Sequence, residues 1–123
     1  MPCDDSPLCE SLRRKIAHVL SVSGLHDLRP LLIAKMNDVL NLDEAEALQG
    51  SPALRKPSKS ARVTALVGGG EPKEFIRQAE RLTAAWSREG VEISSRVSGQ
   101  HHHFSVLDDL RVPQSRNYRM LFG

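Results

Sequence analysis

Glu71 and His103 are the two side chains in this sequence best suited to work as an acid and a base. Each comes just after an apolar run of strand character, residues 62–67 for the glutamate and 91–97 for the histidine. A carboxylate that accepts from one imidazole nitrogen fixes the tautomer of the ring. The other nitrogen is then free to take a proton from a hydroxyl. Glu71 also has a simpler role open to it, because a carboxylate near a helix N-terminus is favourable in its own right. His101, His102 and His103 form a run that would hold nickel or zinc weakly. Adjacent loop side chains diverge, so no metal site is expected there.

Other residues invite chemistry and fail on spacing. Ser21 and Ser23 sit where a strand ends, but a hydrolase elbow needs Gly-x-Ser-x-Gly, because the strained turn has no room for a Cβ at its flanks. No serine in the chain has glycine at both places, so each reads as a loop hydroxyl. Gly68-Gly69-Gly70 is succeeded by Glu-Pro-Lys rather than the Gly-Lys-Ser/Thr of a phosphate loop, and is expected to form a tight turn. Cys3 and Cys9 have no second pair to complete a zinc set and read as free thiols in a reducing compartment. Trp86 belongs to an apolar helix stripe and Asp108-Asp109 to a solvated helix face.

The elements that must position Glu71 and His103 alternate. Residues 16–22, 62–67 and 91–97 are expected to be strands, the first two buried and the third a sheet margin. Pro30 opens an expected helix through LLIAKMNDVL, and Asp43 caps a short one ending at Gly50. Residues 51–60 read as a basic, Pro- and Ser-rich loop. Pro72 opens the strongest helix, to about Glu89, with Phe75, Ala79, Leu82, Ala85 and Trp86 on one stripe. Phe104 to Leu110 reads as a short helix. The pattern predicts an α/β fold with three parallel strands in the order of the chain, joined by crossover helices. Chemistry in such sheets gathers beyond the strand C-termini. Those places are Ser23 to Asp27, Gly68 to Glu71, and Gly99 to His103.

At 123 residues, 40% of them hydrophobic, the chain is the size of one small domain. Residues 1–15 are expected to be flexible and 16–123 to form the domain. A net charge of +2, with scattered basic residues, gives no sign of nucleic-acid binding. The start lacks the basic and apolar regions of a signal peptide, and no apolar run reaches the roughly 20 residues of a membrane span. A cytoplasmic location is expected.

Two stretches resemble the kynurenine formamidase-like α/β-hydrolases. The first is SGLHDLRPLLIAKMNDVLNLDEAEALQGSP, with its Ser-Gly-x-x-Asp-Leu-x-Pro. The second is VGGGEPKEFIRQAERLTAAWSREGVEISSRVSGQHHHFSVLDDL, with its Glu-Phe-x-x-Gln helix and His-Phe-Ser-Val motif. With the strand between them they cover about three-quarters of the chain. The resemblance implies the last three strands of an α/β-hydrolase sheet. It also implies a triad base at His103, a triad acid at Glu71 where many relatives carry Asp, and no cofactor. Ser23, Gly24, Leu25, His26 and Asp27 would help to shape a substrate pocket. The implied reaction is hydrolysis of a small-molecule ester or amide, N-formylkynurenine or a relative of it, in tryptophan catabolism.

The departure from the family is plain. Its His-Gly-Gly oxyanion loop and its Gly-x-Ser-x-Gly elbow precede the Ser-Gly-x-x-Asp segment, and this chain has neither. The expectation is a truncated hydrolase carrying only the acid and base of a Ser-His-acid triad, inactive alone. The alternatives are one half of a split enzyme completed by another chain, or a non-catalytic interaction domain on the old fold. An unpaired edge on strand 16–22 would favour self-association or a complementary N-terminal half.

Overall fold

The computed structural model describes residues 9–57, 61–99 and 102–122. Its centre is a sheet of β1 (His18–Val22), β2 (Arg62–Gly68) and β3 (Ile93–Ser98), paired parallel in that order. The three expected strands are therefore present, within two residues at each boundary. Register pairs Val19 with Val63 and Val63 with Ile93, so these side chains share one face of the pleated sheet. β2 is buried from Val63 to Gly68, as a central parallel strand must be. The outer edge of β1 pairs with no strand among the described residues.

The long helix, α4 (Lys73–Arg88), covers that face. Pro72 stands just before it, where its missing N–H costs nothing. Leu82 and Trp86 pack against Val63 and Val91, and Ala79 packs against Ala65 and Val67. The expected stripe is thus the core-facing one, and Trp86 is fully buried with its Nε1–H donating to the Pro52 carbonyl at 3.0 Å.

Ahead of α4 lie three short helices, α1 (Glu10–Arg13), α2 (Asn37–Leu40) and α3 (Glu44–Gln49). α1 occupies part of the segment expected to be flexible. Asp43 caps α3 as expected, accepting from the Glu46 amide at 2.8 Å. The helix expected through residues 31–40 is replaced by a 3-10 turn, Arg29–Ile33, and the single turn of α2. Ala34 between them is extended, with ψ 148°. Ile33 and Val39 are 94% and 84% exposed, so the apolar spacing meets no surface to pack on. Helical spacing without a partner supplies too little energy to hold a short helix together. Asn37 instead hydrogen-bonds both the amide and the carbonyl of Leu42.

Past β3 the chain forms α5 (Ser105–Asp108), a 3-10 turn (Asp109–Arg111) and α6 (Arg116–Phe122). The helix expected at 104–110 is thus divided, and α6 is an addition to the expected elements. Buried Val106 brings α5 against β2. Cys3 and His101 lie outside the described residues, and Cys9 is exposed. No helix among the described residues is long and apolar enough to cross a membrane.

The turn after β2 is tighter than composition alone suggests. The Glu71 amide closes it onto the Gly68 carbonyl at 3.1 Å, and the Gly69 amide reaches the Ser98 carbonyl at 3.3 Å. A Cβ on Gly69 would lie 1.9 Å from the Gly99 carbonyl oxygen, a backbone atom that cannot swing aside. Gly69→Ala should therefore force the ends of β2 and β3 apart. The expected loss is about 2–3 kcal/mol of stability, read from a urea unfolding curve. An unchanged midpoint would mean that the two strand ends do not approach this closely.

Candidate active site

Glu71 and His103 meet beyond the C-terminal ends of the strands. His103 Nδ1 lies 2.7 Å from Glu71 Oε1. The other carboxylate oxygen, Oε2, accepts from the Gly68 amide at 2.6 Å and from the Ser23 hydroxyl at 2.5 Å. The Glu71 side chain is fully buried, whereas the His103 side chain is half exposed. Burial pushes the Glu71 carboxyl up, but the donors from Ser23, Gly68 and His103 outweigh it and hold the group below the usual carboxylate range. An ionised Glu71 accepts from Nδ1–H, which leaves Nε2 as the outward nitrogen. Among the described residues Nε2 has no protein partner. Phe75 and Phe104 flank the ring, with centroids at 5.4 and 5.3 Å.

His102 turns elsewhere. Its Nδ1 accepts from the amides of Phe104 and Ser105 at 3.3 Å, so consecutive histidines point apart. Among the described residues no group of His, Cys, Asp and Glu is placed to hold a metal ion.

The segment after β1 reaches the site through Ser23, whose φ of 49° turns the chain sharply. Its amide still bonds the Leu66 carbonyl at 2.8 Å, one step beyond the ladder. The pair formed by Ser21 and His26 requires glycine at position 24. A Cβ there would stand 2.7 Å from both His26 Nε2 and Ser21 Oγ, which are themselves hydrogen-bonded at 2.8 Å. Ser23, His26 and Asp27 are buried, while Gly24 and Leu25 are partly so.

One side chain clamps this segment to α4. Gln78 Oε1 accepts from the amides of His26 and Asp27 at 2.9 and 2.7 Å. Its Nε2 donates to the Asp27 carbonyl and to Glu74, both at 2.9 Å. A helical stripe drawn from apolar residues passes over Gln78. The signal for it lies in the Glu-Phe-x-x-Gln motif, whose Phe75 and Gln78 are one helical turn apart.

Asp27 is likewise no more than a segment residue in the sequence. Its buried carboxylate takes Arg29 through two nitrogens at 3.0 and 2.7 Å and pairs with Arg81 on α4. Arg29, ahead of an opposing effect of burial, pulls its pKa from 3.8 down to about 2. A depressed folded-state pKa adds stability that is complete above the unfolded value and vanishes as pH falls through the folded one. The chain should therefore lose stability between about pH 4 and pH 2, and Asp27→Asn should lose less over that window, by roughly 1–2 kcal/mol. Urea midpoints for the two proteins across the window measure it. Parallel curves would show that Asp27 is not held by its arginines.

Three parallel strands in chain order, with α4 crossing between β2 and β3, are part of an α/β-hydrolase fold, and the carboxylate and histidine meet beyond the strand ends where ligands gather in such sheets. No protein-family model matches the sequence. The chain is kynurenine formamidase-like. It is 32% identical over 101 residues to the kynurenine formamidase of Danio rerio, covering 78% of this chain and 34% of that protein. To the enzyme of Salmo salar it is 28% identical over 106 residues, covering 81% of this chain and 36% of that protein. Among solved structures it resembles a Silicibacter sp. tm1040 protein provisionally named a thioesterase. The TM-score there is 0.84 at 33% identity, covering 94% of this chain and 42% of that one. The chain thus spans about a third of the length of the curated relatives it matches.

Proposed function

We propose that this chain supplies the acid and base of a Ser-His-acid hydrolase of the kynurenine formamidase kind, and that the nucleophile comes from a part of the enzyme this sequence does not contain. The observation that supports this is the 2.7 Å contact between His103 Nδ1 and a Glu71 carboxylate that two further donors hold in place. In the complete site a serine hydroxyl attacks the acyl carbon of an ester or amide, N-formylkynurenine or a related formamide. His103 Nε2 takes the serine proton and returns it to the leaving group. Glu71 holds the ring and stabilises the imidazolium. The Ser23 to Asp27 segment shapes the pocket wall indirectly, by setting where Ser23 meets Glu71 and where α4 lies.

The edge of β1 that pairs with no strand among the described residues is where the remaining part of the enzyme would add its next strand. The sequence offers no Gly-x-Ser-x-Gly, so the chain alone should have little activity. The experiment is a formamide and ester hydrolysis assay on the purified chain. It is repeated with a second polypeptide carrying a His-Gly-Gly loop and a Gly-x-Ser-x-Gly elbow. Activity that appears only in the mixture and is lost in His103→Ala supports the proposal. Turnover by the chain alone that survives His103→Ala would overturn the assignment. Tight association of the two pieces without any turnover would favour an interaction domain instead.

A further inference from the structure

The face of the sheet away from α4 carries a group of cations that the acid–base pair does not use. An open cavity of about 670 Å³ lies there, against β3 and α6. Arg62 of β2, Arg96 of β3 and Arg116 of α6 line it, with His18, Thr64 and Ser94. Among the described residues none of the three guanidinium groups forms an ion pair. Among the described residues Arg96 meets the soft Met120 sulfur, 3.9 Å from one of its nitrogens. Glu92, the carboxylate close enough to act on His18, does not line the cavity.

The neutral groups are arranged in keeping with this. His18 Nε2 bonds the Thr64 hydroxyl at 2.9 Å. His18 Nδ1 is buried, and the Leu121 carbonyl beside it does not meet it in hydrogen-bonding geometry. Burial first and the Arg62 charge second hold this ring below the usual histidine range, so it carries no charge to balance. A buried polar atom left without a partner is uncommon in a folded protein, and so are three like charges left around one cleft.

We infer that this cavity binds a phosphorylated small organic molecule, with Arg62, Arg96 and Arg116 around the phosphate and the Ser94 hydroxyl as a neutral donor. Guanidinium forks match the oxygens of a phosphate in a way that a point charge does not. Three of them suit a dianion better than a single carboxylate. The volume lies within the roughly 300–1,000 Å³ of small-molecule sites, and Met120 gives the organic part an apolar contact.

The test is calorimetric titration of the purified chain with inorganic phosphate and with phenyl phosphate, at one ionic strength set by potassium chloride. Phenyl phosphate should bind saturably and tighter than inorganic phosphate. Arg62→Gln and Arg96→Gln should each weaken it about fivefold or more. Lys35→Gln, which removes the same charge elsewhere, should leave the affinity unchanged. Thermal melts of all three variants establish that they fold. Absence of saturable binding, equal affinity for the two probes, or equal weakening by Lys35→Gln would each overturn the inference.

Discussion

In the reconstituted enzyme, Glu71→Gln should lower kcat on the order of 10⁴-fold with little change in KM. The amide can still fill the space, and its oxygen can still accept two hydrogen bonds. Two donors, the Gly68 amide and the Ser23 hydroxyl, already converge on Oε2, so the amide would keep its oxygen there. Its NH₂ group then faces His103 Nδ1. An NH₂ group selects the tautomer with the proton on Nε2, and that ring cannot accept from a serine. The loss is therefore one of protonation state rather than of binding. Steady-state kinetics on the mixed polypeptides measure it, and nitrogen chemical shifts of His103 report the tautomer independently. A variant that loses activity while His103 keeps its Nδ1 proton would place Glu71 outside the mechanism. His103→Ala, which removes the base itself, should cost at least as much.

Replacing Trp86 with alanine should cost about 3–5 kcal/mol of stability. Trp86 is fully buried among Val63, Leu82 and Val91, and Val19 and Ala53 pack around that cluster. It touches both the sheet and the crossover ahead of β2, so no single neighbour can fill the space. The change also strips the Pro52 carbonyl of its donor. Against a total stability of about 5–15 kcal/mol for an ordinary domain, such a loss removes much or all of the folded population. Trp86→Phe separates the two contributions, because it keeps most of the packing and loses the hydrogen bond. It should cost about 1–3 kcal/mol, from one unsatisfied buried carbonyl with some loss of volume. Urea unfolding followed by far-ultraviolet circular dichroism measures both. A loss under 1 kcal/mol for the alanine variant would show that helix and sheet are not held together at this residue.

The elements with local signals are legible in the chain without its structure. Apolar runs bounded by glycine and polar turns mark β1 and β2, but β1, expected to be buried, is only partly so, because it pairs on one side alone among the described residues. Apolar residues three and four apart between Pro72 and Gly90 mark α4. Parallel order comes from the intervening crossovers, and with it the meeting of Glu71 and His103, since consecutive parallel strands end side by side. Whatever depends on a partner distant in the chain is settled only by packing. Residues 31–40 carry helical spacing, but Ile33 and Val39 find nothing to pack against, so spacing alone does not make a helix. Ser23 becomes the second donor to Glu71 because β1 ends beside β2 in register, and local composition carries no sign of that. Gln78 is a polar residue on the buried side of α4. Its value lies in two backbone amides about 50 residues earlier, which only the packed fold brings to it. Arg62, Arg96 and Arg116 look like scattered surface charge in the chain. They line one cavity because side-chain alternation along β2 and β3 and the return of α6 turn them to the same face.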